Sequence, residues 1–282
     1  MLNKLIESLI DLALEEDIGD GDHTSLACIP EGSLGKAQLL VKQEAILAGV
    51  DIADKIFRKL DSDIHFQKKI DDGSKVSPGD IAFLVFGRIQ TLLKAERLVL
   101  NIMQRMSGIA TQTNRYVQAL EGLSTKVLDT RKTTPGMRLL DKLAVKLGGG
   151  ENHRIGLFDM ILIKDNHIDF AGGIENAIER TKEYLKKYNR ELKIEVEARS
   201  IDDVKKILST GGIDVIMLDN FTLEETKEAV LLIDRKVKTE SSGGITIENL
   251  RAYAECGVDY ISVGALTHQI QSIDLSLKAI DY

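Results

Sequence analysis

The sequence predicts an α/β protein: an incomplete (β/α) barrel with a smaller N-terminal α+β sandwich domain. Two observations predict it. After residue 123, six short apolar runs, STKVLDT, MILIKDN, KIEVEA, VIMLDN, KTESSGG and YISVGA, alternate with helix-length segments, and such alternation builds parallel strands covered by helices. Before residue 108 the pattern is instead one of β-like runs separated by turn residues. Six strand units fall short of the eight of a closed barrel. A doubly wound open sheet competes, although no GxGxxG marks a first strand-to-helix turn. The expected domains are 1–109, to which a tail at 270–282 is free to return, and 110–269.

The chain begins with apolar residues at Leu2, Leu5, Ile6, Leu9, Ile10 and Ala13 and then Glu15, Glu16 and Asp17. This reads as an amphipathic helix, not as the apolar core of a signal peptide. After the turn-rich GDGDHTS, the runs AQLLVKQEAILAG, IHFQKKI and DIAFLVFGRI supply strands of a small sheet or sandwich. KVSPGDIAFLVFG is similar to the hairpins of biotin and lipoyl carrier domains, but no lysine occupies a hairpin tip, so the likeness is structural. Residues 91–120 have helical spacing, with Leu92, Leu93, Leu98, Leu100, Ile102, Met103 and Met106 available for burial. Within that helix Arg97, beside Glu96, reads first as a solvated ion pair.

Composition limits the function classes. The chain has 282 residues, is 43% hydrophobic and carries a formal net charge of -7, enough for real cores and the wrong sign for a general nucleic-acid binder. No apolar stretch reaches membrane-span length. Cys28 and Cys256 have neither the number nor the spacing of a disulfide framework or zinc site, so both read as small buried apolar residues in a reducing, cytoplasmic setting.

Positive charge is nonetheless concentrated. Residues 131–164 hold seven Lys/Arg against three Asp/Glu. Lys142 and Lys146 suit a solvated helix face. Arg131, Lys132, Arg154 and Lys164 each adjoin a strand end or the run GGGENHR, and in parallel α/β folds the carboxyl ends of strands gather the active site. Guanidinium forks bind carboxylate or phosphate bidentately, so the ligand carries several negative charges. Glu195 and Glu197, two apart on a strand, share one face. They either pair with these cations, or one joins Asp219 in holding magnesium, which takes one or two carboxylates alongside water and phosphate oxygens. SSGGI and SVGAL, at the last two strand ends, occupy the usual phosphate position of a β/α barrel. The expected ligands are a monophosphate ester and a separate anionic group, with magnesium between them.

DTRKTTPGMR, GGGENHR, DMILIKDNH, EVEA, IMLDNF, SSGGI and ISVGALTH, with EDIGDGDHTS and ERLVLNIMQRMSGIAT upstream, resemble the quinolinate phosphoribosyltransferase family over nearly the whole chain. The resemblance implies conversion of quinolinate and phosphoribosyl pyrophosphate to nicotinate mononucleotide, pyrophosphate and carbon dioxide in NAD biosynthesis, with Mg2+. It also implies a homodimer and leaves a hexamer of dimers open. By matching motif, Arg131, Arg154 and Lys164 hold the two quinolinate carboxylates with His153 nearby. Arg97 reaches in from the partner subunit, replacing the solvated-pair reading. Lys132 meets the pyrophosphate, while Glu197 and Asp219 meet the ribose hydroxyls and magnesium. Ser242, Gly243, Gly244, Gly264 and His268 surround the 5-phosphate. Both Glu195 and Glu197 fit the strand pattern, so their division of labour stays open. Met137 and Gln269 depart from the family's commoner leucine and serine, outside the charged constellation.

Breaking the ribose–pyrophosphate bond builds positive charge on the sugar and negative charge on the leaving group, which Lys132, Glu197, Asp219 and magnesium would offset. No nucleophilic side chain is needed, and His23, His65 and His167 read as structural. A barrel aldolase using Lys164 as a Schiff-base nucleophile, a non-catalytic binder of phosphorylated sugars and a paralogue acting on another acid are the competing readings.

Overall fold

The computed structural model describes residues 2–280 and divides the chain into two compact units. In chain order, the elements up to the first crossing between units are α1 (Leu2–Ile18), α2 (His23–Cys28), β1 (Leu34–Val41), β2 (Ala45–Ile46), α3 (Val50–Leu60), β3 (His65–Lys68), β4 (Lys75–Val76), β5 (Ile81–Arg88) and α4 (Ile89–Ala119). There follow β6 (Lys126–Leu128), α5 (Arg138–Leu147), β7 (Ile161–Ile163), α6 (Asp165–Ala171), α7 (Ile174–Lys187), β8 (Ile194–Ala198), α8 (Ile201–Thr210) and β9 (Val215–Asp219). The last are α9 (Leu223–Ile233), β10 (Lys238–Ser242), α10 (Leu250–Glu255), β11 (Tyr260–Ser262), α11 (Ala265–His268) and β12 (Leu275–Ile280).

The first unit runs to Asn114, takes up Thr133–Gly149 and resumes at Leu266. Its four-stranded antiparallel sheet has the order β12-β1-β5-β3, so the C-terminal strand lies along β1 from Lys36↔Ile280 to Val41↔Leu275. Phe57, Phe66 and Phe83 pack their rings in the core, the last two with centroids 4.5 Å apart. On α3, Val50, Ile52, Ala53, Ile56 and Phe57 form the buried stripe, and Asp72 accepts the free N–H groups of Val50 and Asp51 at its start. The apolar series of α1 is buried at Ile10 but exposed at Leu5; the side chain of Leu2 lies outside the description. On α4, Leu92, Leu98, Leu100, Ile102, Met103 and Met106 are buried, whereas Leu93 is exposed.

Helix α5 lies in this first unit, where Arg105 forms a two-pronged bond to the buried Asp141 at 2.9 and 2.8 Å. Two expectations are corrected here. Lys142 is 2% exposed and not on a solvated face, because its side of α5 is buried with Leu140, Ala144 and Val145; Lys146 is exposed as expected. Cys28, at the end of a short surface helix, is exposed, while Cys256 is buried. Gly148 shows why the glycine run follows α5: a Cβ there would overlap the Ala110 carbonyl of α4.

The second unit comprises Arg115–Lys132 and Gly150–Ala265. Its six parallel strands are ordered β6-β11-β10-β9-β8-β7. All six runs read from the sequence are strands. Strands 7 to 11 are successive neighbours and the first strand pairs with the last, which is the cyclic order of a barrel with its seam between β6 and β7. An open doubly wound sheet would not join its first and last strands. Near the seam, Leu128 forms an isolated parallel bridge to Glu151. Helix starts after the strands are locally encoded. Ser200 accepts the Asp203 N–H at 3.2 Å, and Thr222 with Glu225 forms a capping box.

Candidate active site

Register places the chemistry on one face. Glu197 pairs with Met217 and Met217 with Glu240, while Asp219 pairs with Ser242. Side chains alternate along strands, so Glu195, Glu197, Met217, Asp219, Glu240 and Ser242 share the inner face, with Ile216 and Leu218 turned outward. At the carboxyl ends a cavity of about 450 Å³ is bounded by Thr130, Arg131, Lys132, His153, Arg154 and Lys164 on one side. Asp219, Asn220, Ser242, Gly243 and Gly244 bound the other, and Leu162 and Met217 supply apolar surface.

The cationic wall is built from both sides of the seam. The buried Asp129, just after β6, accepts the His153 N–H at 2.9 Å and the Asn152 amide at 2.6 Å, fixing the NHR turn beside TRK. Asp159 then accepts the N–H groups of Ile155 and Gly156, each at 2.8 Å. Arg154 is thereby held in the cavity. Burial, and next the positive charge of Arg131, hold its guanidinium below the usual arginine range. Arg131 Nε is buried with no hydrogen-bond partner. Two cations that repel, one with an orphaned N–H, form a binding site for an anion.

Lys164 stands at the start of α6, where its backbone N–H donates to Nδ1 of His167 at 3.0 Å. His167 thus has the structural role expected of it. The Lys164 Nζ meets Glu197 Oε2 at 3.0 Å. Glu195 goes elsewhere: its Oε2 lies 2.8 Å from His153 Nε2. The two glutamates, equivalent along the strand, thus differ in partner: Glu197 lies beside the lysine and Glu195 beside the histidine.

Asp219 accepts the Asn220 side-chain amide at 2.7 Å, and its carboxyl is pushed up by burial and then by the negative charge of Glu197. A carboxylate pair that repels at the edge of a cationic cavity fits one hard divalent cation. Asn220 also governs the glycine turn. It adopts φ 57, and its N–H donates to the Ser242 carbonyl at 2.9 Å. Gly243 has φ 90, and a Cβ there would fall on the Asn220 side chain. Only glycine fits.

The cavity brings together Arg131, Lys132, His153, Arg154, Lys164, Asp219, Ser242, Gly243 and Gly244 from the expected set. Glu197 joins them through Lys164. Gly264 follows β11 in the same unit, half-buried. Arg97, exposed on α4, and His268, exposed on α11, belong to the first unit. Sequence reading missed Asp129, Asn152 and Glu240 as supports, and placed Asn220 at the strand end without a role. Asp129 and Asn152 sit inside the quoted motifs LDTRK and GENHR, and Asn220 and Glu240 beside the quoted Asp219 and SSGG, so adjacency was the available signal.

A larger cavity, about 710 Å³, opens at the amino ends of β9, β10 and β11, around Asp214, Arg235, Lys236, Lys238 and Asp259. There Lys238 is paired with Asp259 at 2.6 Å. That end of a β/α barrel serves stability.

Comparisons with known proteins agree with this geometry. The description "Quinolinate phosphoribosyl transferase, N-terminal domain" matches residues 22–107, and "Quinolinate phosphoribosyl transferase, C-terminal domain" matches residues 109–278. The chloroplastic carboxylating nicotinate-nucleotide pyrophosphorylase of Oryza sativa subsp. japonica is 43% identical over 97% of this chain and 77% of its own length. The probable carboxylating nicotinate-nucleotide pyrophosphorylase of Bacillus subtilis (strain 168) is 41% identical, covering 96% of this chain and 92% of its own. The solved nicotinate-nucleotide pyrophosphorylase of Francisella tularensis aligns with a TM-score of 0.92 at 41% identity, over 99% of this chain and 97% of that one.

Proposed function

The chain belongs to the quinolinate phosphoribosyltransferase family, and on that premise we propose how its residues carry out the transfer. The protein is a decarboxylating phosphoribosyltransferase of NAD biosynthesis: quinolinate and phosphoribosyl pyrophosphate give nicotinate mononucleotide, pyrophosphate and carbon dioxide. The observation that carries the reading is the mutual repulsion of Arg131 and Arg154 beside an orphaned Arg131 Nε. A dicarboxylate answers both charges at once.

In this reading Arg131, Arg154 and Lys164 hold the two quinolinate carboxylates, and Leu162 and Met217 give the flat ring an apolar rest. Lys132 neutralises the departing pyrophosphate. The ring nitrogen attacks the anomeric carbon as its bond to pyrophosphate oxygen breaks, and the glycosidic bond forms with the nitrogen's lone pair. The pyridinium then accepts the electron pair released when the adjacent carboxylate leaves as carbon dioxide, and a proton replaces it. Asp219 and Glu197 bind the ribose hydroxyls and offset positive charge on the sugar. The same two carboxylates would hold Mg2+, which when bound supplies charge neutralisation for the pyrophosphate. Ser242, Gly243, Gly244 and Gly264 present hydroxyl and backbone donors to the 5-phosphate, and His268 adds a further donor. His153 contributes by holding Arg154.

The reading includes a homodimer to which Arg97 brings a further cation for the partner subunit's quinolinate, and a cytoplasmic location. Free Cys28 on the surface accords with a reducing compartment. No helix among the described residues is long and apolar enough to cross a membrane. The aldolase alternative is disfavoured because Lys164 Nζ is half-exposed against a carboxylate, not enclosed in an activating apolar pocket. Incubation with quinolinate, phosphoribosyl pyrophosphate and magnesium, following nicotinate mononucleotide and carbon dioxide, tests the reading. Turnover lost in Arg131→Ala supports it; a folded wild-type protein giving no product sinks it.

A further inference from the structure

Beneath the cationic wall lies a cluster that the transfer chemistry does not use. Glu195 of β8 and Glu240 of β10 are each 1% exposed. Their carboxyl groups and a ring nitrogen of His153 lie within 4.8 Å of one another. His153 Nε2 is 2.8 Å from Glu195 Oε2 and 3.7 Å from Glu240 Oε2. On the opposite side of the ring, Nδ1 accepts the backbone N–H of Arg154 at 2.8 Å.

These contacts set the tautomer. An imidazole that accepts at Nδ1 carries its proton on Nε2, so Nε2 donates to Glu195. Both ring nitrogens are then committed within the protein, and neither is available to a substrate carboxylate. The histidine instead links a buried acid pair to the backbone that presents Arg154. Burial first, and the charge of Glu195 next, push Glu240 up to about 8; burial likewise pushes Glu195 up to about 7, against the lowering effect of its hydrogen bond with Glu240. The two carboxyls and the ring stand within 4.8 Å of one another, so a proton kept by Glu240, the more strongly raised of the pair, is placed to be donated to Glu195, which also accepts from His153. No change of protonation is required for this arrangement to work. Its cost is visible: Oε1 of each glutamate is buried without a partner, which a fold selected for stability alone would replace by apolar side chains.

We propose that Glu240 is a positioning residue for the dicarboxylate half of the site, acting through Glu195 and His153 on the backbone at Arg154. The proposal rests on the reading that Arg154 binds a quinolinate carboxylate. It separates Glu240 from the phosphate half, although Glu240 is only two residues before Ser242. A metal held by His153, Glu195 and Glu240 is the rival use of the same atoms.

The experiment compares full-length wild type, Glu240→Ala and Glu240→Gln. Calorimetric titration with quinolinate alone is followed by steady-state KM for each substrate. In Glu240→Ala we expect quinolinate binding to weaken tenfold or more while the KM for phosphoribosyl pyrophosphate stays within twofold. Glu240→Gln, which keeps the shape and a donor to Glu195, restores quinolinate binding to within threefold. Equal quinolinate binding by wild type and Glu240→Ala overturns the proposal. So does equal weakening toward both substrates, which is the mark of general destabilisation. If Glu240→Ala does not fold, Glu240→Asp, one methylene shorter, must show the same split. Metal analysis finding one tightly held divalent ion per chain in wild type and none in Glu240→Gln overturns it in favour of the rival. Nitrogen NMR of histidine-labelled protein, with the His153 signal identified by its loss in His153→Asn, reads the tautomer independently of substrate. An Nε2–H ring supports the relay and an Nδ1–H ring refutes it, so a wild type that binds no quinolinate would defeat the functional reading without concealing the fate of this one.

Discussion

Arg131 and Arg154 face one cavity, and burial, followed by the positive charge of the first, holds the guanidinium of the second below its usual range. The site is thus charged in advance for an anion, at the expense of the ligand-free fold. Arg131→Ala and Arg154→Ala should each lower kcat/KM for quinolinate by roughly a hundredfold, given about 1.5–3 kcal/mol for each sheltered charge-assisted bond. Lysine should not restore it, because a point charge cannot replace a fork. The ligand-free melting temperature of Arg131→Gln should hold or rise, since a repulsion is removed. Steady-state kinetics and thermal melts check both halves.

Glycine 243 carries a positional prediction. At φ 90 with the Asn220 side chain in the way of any Cβ, Gly243→Ala should cost about 1–3 kcal/mol of stability and raise the KM for phosphoribosyl pyrophosphate more than that for quinolinate. Gly244→Ala, at φ 61 with open space around it, should be milder on both counts. Denaturant titrations beside the two KM values distinguish them.

The pH dependence of stability follows from Glu240. Its carboxyl is raised from 4.5 to about 8 by burial, so between those values the folded protein keeps a proton that the unfolded chain has released. Stability from this group is full below the unfolded value and declines as pH rises, by at most about 1.4 kcal/mol per pH unit. Glu240→Gln removes the ionisation. Its stability relative to wild type should therefore increase from pH 5 to pH 8, as read by guanidinium unfolding at each pH. A difference that stays flat would show that Glu240 does not hold the proton.

Magnesium removal should abolish turnover, with activity returning on titration of the ion. Glu197→Gln and Asp219→Asn should each shift the magnesium needed for half-maximal rate upward, because each removes one of the two carboxylates proposed to hold the ion. An unchanged magnesium dependence in both variants would move the ion to other ligands.

The partner contribution proposed for Arg97 has a complementation test. Arg97→Ala and Arg131→Ala should each be nearly inactive alone, yet mixing and re-forming dimers should recover turnover, since one site of a mixed dimer then has both arginines. No recovery, with subunit exchange verified, would confine Arg97 to its own chain.

The sequence by itself determined the order of elements and much of the site's composition. Parallel strands buried on both faces read as apolar runs, which made five of the six visible; β10, KTESS, has no apolar residue and was marked by its place in the alternation and the glycine turn after it. Glu195 and Glu197 announced a shared face by spacing alone, and SSGG announced a turn that only glycine can make at Gly243. Partners were decided by tertiary structure. Periodicity states which face of an element is covered, not what covers it, so Lys142 on an apparently solvated helix is buried, and Cys28 is not. The two glutamates look equivalent along the strand. They differ because His153 arrives from 42 residues upstream to meet one and Lys164 from 33 upstream to meet the other. Glu240 had one local signal, adjacency to SSGG, and that does not give its role. Its importance comes from a neighbour two strands away across β9, brought there by the strand order and by the exclusion of water that makes an unpaired carboxyl consequential.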